Sequence, residues 1–145
     1  MQWRLRPGSK AAGQARRDAV RWLGAAGIGP LDDLAVVIAE LLANAVQVAR
    51  REVVLEVTLA LGEVHVCVCD DGAGFTSLPA QGLPPSDAEG SRGLFLVRSL
   101  SQGFAVETTA AGTVVRCWLP VTAVAGPDAP ARSASPSRAD VRQVL

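Results

Sequence analysis

A chain of 145 residues has room for one compact domain with a usable core and for a tail, but not for a second catalytic domain. Hydrophobic residues make up 49% of it, charged ones 19% and aromatics 4%, so it should fold around a core built mostly from Val, Leu and Ala. Fourteen basic residues balance fourteen acidic ones, which excludes a global field directed at nucleic acid or an anionic membrane and leaves specificity to a local site.

No apolar run reaches the roughly 18 residues of a membrane span, and the amino terminus lacks the apolar stretch of a signal peptide, so a soluble, cytoplasmic protein is expected. Cys67, Cys69 and Cys117 are odd in number, and two of them share one strand-like run. They suit a reducing compartment, as small core hydrophobes, better than a disulfide framework. One His and no C-x-x-C argue against zinc.

Trp3-Arg4-Leu5-Arg6 fits an edge strand ended by Pro7-Gly8, and the Ala- and Arg-rich stretch from Lys10 to Ala25 predicts a helix stopped by Gly27, Gly29 and Pro30. Asp32 and Asp33 open a second, very regular helix running to about Ala49, with acidic residues at the positive end of its dipole. Glu52 to Ala60 alternates Val53, Leu55, Val57 and Leu59 with polar positions, the period of a half-buried strand. A tight hairpin at Leu61-Gly62-Glu63 leads into a second strand, Val64 to Cys69, and then into Asp70-Asp71-Gly72-Ala73-Gly74.

From Phe75 to Arg92 the chain carries Gly, Pro and Ser without periodicity, a loop long enough to need a job as a lid or binding loop. Helical spacing returns over Gly93 to Ser101, and Phe104 to Thr108 with Thr113 to Leu119 forms a closing hairpin around Ala110-Ala111-Gly112. The domain is therefore placed at residues 1–123, with 124–145 as a flexible tail rich in Pro, Ala and Ser.

Two features of this layout carry chemistry. Between Leu34 and Ala49 the only polar residues are Glu40, Asn44 and Gln47, and at about 100° per residue they fall in a band of roughly 60°. Such a band is either the solvated face of an amphipathic helix or the lining of a wet cavity, because a buried carboxylate needs a partner. Asp70 shares strand parity with Val64, Val66 and Val68, so it ends an apolar face and wants a donor; the amino group of adenine is one. A plain strand followed by an Asp-Gly turn would look the same.

In order, Glu40-Leu41-Leu42-Ala43-Asn44-Ala45 resembles the N box of GHKL (Bergerat-fold) ATPases, and Asp70-Asp71-Gly72-Ala73-Gly74-Phe75 resembles their D-x-G-x-G box. Gly90-Ser91-Arg92-Gly93-Leu94-Phe95-Leu96-Val97 is similar to the G2 box at the end of the ATP lid, and Gly112-Thr113 stands where the last G-T element belongs. As one short domain, the chain looks most like the anti-sigma-factor serine/threonine kinase branch. The resemblance implies an α+β fold, a two-layer sandwich with helices on one face of a mixed, mostly antiparallel sheet.

It also implies ATP and Mg²⁺ as ligands, with Glu40 as general base and Asn44 holding the metal. Asp70 would read adenine, Gly72 and Gly74 border the base, Arg92, Gly93 and Leu94 present the amino end of the lid helix to phosphate, and Thr113 complete the pocket. The implied partners are a sigma factor and a small antagonist protein, the latter phosphorylated in a partner-switching pathway; dimerisation is suggested by the family and by the edge near Trp3. Three positions depart from the pattern: Gln47 and Val48 where Arg-His often follows, and Ser91 for a glycine. They keep open an ATP-binding module with little phosphotransfer, and a third alternative is a nucleotide-free interaction protein.

Overall fold

Alternating apolar strands and apolar-sided helices assemble into two layers. The computed structural model describes residues 1–73 and 89–123, in the order β1 (Gln2–Leu5), α1 (Ser9–Ala25), β2 (Ile28–Gly29), α2 (Asp32–Val48), β3 (Val53–Ala60), β4 (Glu63–Asp70), α3 (Glu89–Leu100), β5 (Gly103–Thr109), β6 (Gly112–Pro120) and β7 (Thr122–Ala123). Gly74, most of the expected lid loop and the tail at 124–145 lie outside the described residues. Five strands form one sheet in the order β1-β3-β4-β6-β5. Where the family resemblance implies a mixed, mostly antiparallel sheet, every ladder among the described residues is antiparallel.

Register explains which side chains are inside. Leu55 pairs with Val68 and Val68 with Val115, while Val57 pairs with Val66 and Val66 with Cys117, so the apolar positions of three strands stack on one face. All of them are buried, and α2 lies over them with Leu34, Val37, Ile38, Leu41, Leu42 and Ala45. Its first turn holds Asp32 and Asp33, whose charge offsets the positive helix end although no side chain caps it. Each large apolar side chain taken out of water in this layer contributes about 2 kcal/mol. On one flank α1 adds Ala15, Ala19 and Leu23, and on the other α3 adds Leu94 and Val97.

The hairpin between β3 and β4 turns through Leu61 and Gly62, both at positive φ, the geometry that suits the twist of paired strands. β2 and β7 have no counterpart among the elements expected from the sequence. They are two residues long, too short for any periodicity, and they pair Ile28 with Ala123 and Gly29 with Thr122, whose hydroxyl donates to the Gly29 carbonyl at 3.0 Å.

The cysteine expectation holds for one residue of three. Cys117 is buried in the core, whereas Cys67 and Cys69 are half-buried on the opposite face of the sheet. Strand parity decides this, because Val66 and Val68 point inward and their neighbours must point out. Among the described residues, no helix is long and apolar enough to cross a membrane.

Candidate functional site

The apolar inner face of the sheet ends in two polar residues. Asp70, last in β4, faces Thr113 across the ladder to β6 and Val53 across the ladder to β3. Both polar residues are buried, Asp70 at 8% exposure and Thr113 at 0%. Burial pushes the Asp70 carboxyl above the ordinary carboxylate range, opposed by hydrogen bonds from the Gly72 and Thr113 backbone and reinforced by the neighbouring Asp71 charge. The Gly72 N–H donates to Asp70 Oδ1 at 2.9 Å. The Thr113 hydroxyl, by contrast, has no hydrogen-bond partner among the described residues.

Asp71 points the other way and does a different job. Its Oδ1 accepts the backbone N–H groups of Arg50, Arg51 and Glu52 at 2.8, 3.0 and 3.3 Å. Those bonds hold its carboxyl below the usual range and clamp the connection from α2 to β3 onto the end of β4. Sequence reasoning misses this role, since D-D-G marks one carboxylate and only three-dimensional register separates the two.

Helix α2 reaches the same end of the sheet. A Cβ added to Gly72 would lie 2.3 Å from the Val48 carbonyl oxygen, so the residue after the paired aspartates must be glycine for α2 to pack there. One and two turns back along α2 stand Asn44 and Glu40, both partly buried. Asn44 Nδ2 is fully enclosed and has no hydrogen-bond partner among the described residues. Gly93 of α3 packs directly on this pair: its missing Cβ would sit 2.4 Å from Glu40 Oε2 and 3.6 Å from Asn44 Nδ2. The glycine therefore lets two helix backbones approach across a polar seam.

Three sequence expectations shift in detail. Helix α3 begins at Glu89, not Gly93, so Arg92, Gly93 and Leu94 lie within its early turns and not at its amino end. Leu94 is buried in the core, whereas Arg92 is exposed. Gln47 leaves the Glu40–Asn44 pair and lines a groove with Ala12, Arg16, Ala43 and Val46 between α1 and α2, because a 60° band is wide enough to straddle two surfaces.

Gly112 shows how tightly this corner is built. Its φ of 143° lies in the region glycine favours, and a Cβ there would sit 1.8 Å from the Asp70 carbonyl oxygen, a backbone atom that cannot rotate away. Gly112→Ala should cost about 3 kcal/mol of stability in urea denaturation, through displacement of the strand that carries Asp70. A loss below about 0.5 kcal/mol would show that this junction is softer than its geometry implies.

Among the described residues, no three His, Cys, Asp or Glu side chains are grouped to hold a metal ion. A Mg²⁺ ion does not need such a cage, because it is commonly held by one or two side chains, waters and substrate phosphates.

A family model described as histidine kinase-like ATPase domain matches residues 6–118. No curated protein matches. Among solved structures, the RsbU and RsbW domains of Rv1364c from Mycobacterium tuberculosis superpose with a TM-score of 0.62 at 21% identity, covering 83% of this chain and 32% of that one. This chain thus spans about a third of that neighbour. The histidine kinase domain of the blue-light activated histidine kinase from Erythrobacter litoralis EL346 matches with a TM-score of 0.44 at 27% identity, over 61% of this chain and 43% of that one.

Proposed function

We propose that this chain, which belongs to the histidine kinase-like ATPase domain family, binds ATP at the junction of α2, α3 and the ends of β4 and β6, and uses it in a regulatory protein kinase reaction. One observation carries the reading. A face otherwise made of valine and leucine ends in a buried carboxylate and a buried, unpartnered hydroxyl, and the helix above it encloses an unpartnered amide. An orphaned buried polar group costs about 1–3 kcal/mol, and two such groups beside a buried carboxylate at one corner are best explained by a ligand that satisfies them.

The residues fit that ligand. Asp70 presents an acceptor to the exocyclic amino group of adenine, and the Thr113 hydroxyl lies across the ladder where it reaches the same base edge. Asn44 offers a side-chain oxygen once its amide is turned over, since the two ends of an amide are exchanged by rotation about one bond. Magnesium, when bound with the nucleotide, neutralises phosphate charge and fixes phosphate geometry. Arg92 on α3 contributes positive charge on the phosphate side, and Gly93 and Leu94 keep that helix close against α2. Glu40 is placed to take the proton of an attacking hydroxyl as its oxygen bonds to the terminal phosphorus and the bond to the leaving ADP oxygen breaks. Gly74 belongs to the same proposal by its place in the motif alone.

The hydroxyl is assigned to a serine or threonine of a small antagonist protein, and the alternate partner to a sigma factor, with a homodimer as the working unit. The resemblance to anti-sigma-factor kinases supports these assignments, and the structural likeness to a chain containing an RsbW domain is in keeping with them. Three unbonded thiols fit a cytoplasmic setting. A second reading, an ATP-binding partner switch with little phosphotransfer, draws on Gln47 and Val48 and on the direct packing of Gly93 against Glu40.

A thermal-shift titration tests the shared part of both readings. Mg-ATP at about 100 times its dissociation constant should stabilise the fold by roughly 2.7 kcal/mol, and Mg-GTP should do less because Asp70 repels a carbonyl at the same ring position. Absence of any shift at millimolar Mg-ATP would remove both readings together.

A further inference from the structure

We infer that Cys67 and Cys69, on the outer face of the sheet, form a two-sulfur binding site for one soft, thiophilic metal ion of the copper(I) type. The two residues alternate with Val66 and Val68 in β4, so parity turns both thiols to the face that the three described helices leave open. Their Sγ atoms stand 3.8 Å apart, in contact with each other, and both side chains are half-buried.

That spacing suits a bridging atom. At the usual metal–thiolate length of about 2.3 Å, two sulfurs on one ion lie from about 3.8 Å apart, at a tetrahedral angle, to about 4.6 Å, in a straight line. The pair therefore closes on an ion with small side-chain rotations alone. Closing on itself is harder. Strand rise puts the two Cα atoms about 6.6 Å apart, near the upper limit for a disulfide. β4 has no freedom to contract, because it is paired with β3 on one side and β6 on the other.

The surroundings select the kind of ion. Thiolate sulfur prefers soft cations, copper(I) and zinc among them. Zinc almost always takes four ligands, and among the described residues no third His, Cys, Asp or Glu joins the pair. A soft monovalent ion is satisfied by two sulfurs. With both thiols deprotonated the complex carries one negative charge, and Arg116, the ladder partner of Cys67 on β6, sets a guanidinium beside it while pairing with Glu107 at 2.8 Å. Glu56, the partner of Cys67 on β3, opposes that charge from the other side. His65, next on the same face, is engaged with Glu63 at 3.3 Å and stacked on Trp118.

Burial, more than the neighbouring Cys69, pushes the Cys67 thiol up to about 12. The empty pair thus stays protonated at neutral pH and is a poor nucleophile toward oxidants. Binding breaks two S–H bonds, forms two metal–sulfur bonds and releases both protons to solvent, with no change of oxidation state. The site shares no residue with the Asp70, Thr113, Asn44 and Glu40 corner, so the inference does not depend on nucleotide binding.

Titration of the reduced full chain with copper(I), without oxygen and against a coloured copper(I) chelator, tests it. The wild type should withdraw one ion per chain and gain a thiolate-to-metal charge-transfer band in the ultraviolet. Cys67→Ser and Cys69→Ser should each lower the affinity by about 100-fold or more, beyond what loss of a merely supporting group costs, with unchanged melting curves. Cys117→Ala, which alters only the core thiol, should keep it. Undiminished affinity in either serine variant overturns the proposal. So does one ion per two chains, zinc held more tightly than copper(I), or rapid formation of a Cys67–Cys69 disulfide under mild peroxide.

Discussion

Asp70→Asn should abolish stabilisation by Mg-ATP while leaving the unliganded fold as stable as the wild type or about 1 kcal/mol more so. The two effects come from one cause. Asp70 is buried beside a second carboxylate, and both raise its proton affinity, burial more strongly than the neighbouring charge. Its charge is therefore a cost to the empty fold that a bound base offsets. Asn removes the charge and keeps an oxygen for the Gly72 N–H, but replaces one acceptor with a donor that faces the amino group of adenine. The gain should also depend on pH with a definite sign. A carboxyl with a raised folded-state pKa favours the folded state at pH below its ordinary value and loses that contribution as pH rises through the folded value. The advantage of Asn over Asp should therefore grow from acid toward neutral pH. A variant that still binds Mg-ATP with wild-type affinity would take Asp70 out of the base pocket.

Glu40→Gln should separate binding from chemistry. The substitution keeps the shape that Gly93 packs against, so the helix seam and the Mg-ATP stabilisation should survive. Phosphoryl transfer from labelled ATP to candidate antagonist proteins should fall by about 10²–10⁴-fold, the usual contribution of a positioned general base. Transfer at the wild-type rate would defeat the assignment of Glu40. If the wild type binds Mg-ATP and transfers nothing to any candidate, the partner-switch reading gains over the kinase reading.

Much of this is legible in the residues because it depends on short-range pattern. Helix α2 announces itself by Asp32 and Asp33 and an almost unbroken apolar surface, and β3 and β4 by strict alternation that puts Asp70 on the same face as Val64, Val66 and Val68. Features that depend on register between distant segments are not legible. Gly112 is legible as part of a turn and as the glycine of the G-T element, but only the ladder pairing Asp70 with Thr113 places it against the Asp70 carbonyl. The cysteines mislead for a simpler reason: residue type suggests the core for all three, although the parity of Val66 and Val68 already fixes Cys67 and Cys69 on the other side. Gly93 suggests a helix start, yet α3 tolerates that glycine inside it.

The three N–H groups gathered by Asp71 have a meaning for how this chain avoids error. Consecutive aspartates make β4 ambiguous, since sliding the strand by a single position would exchange their places and turn its valines toward solvent. Asp71 can satisfy the backbone of Arg50, Arg51 and Glu52 in only one of those alignments. It therefore acts as a registration pin for its neighbour, and a chain lacking it would still own the residue that reads a base without reliably aiming it.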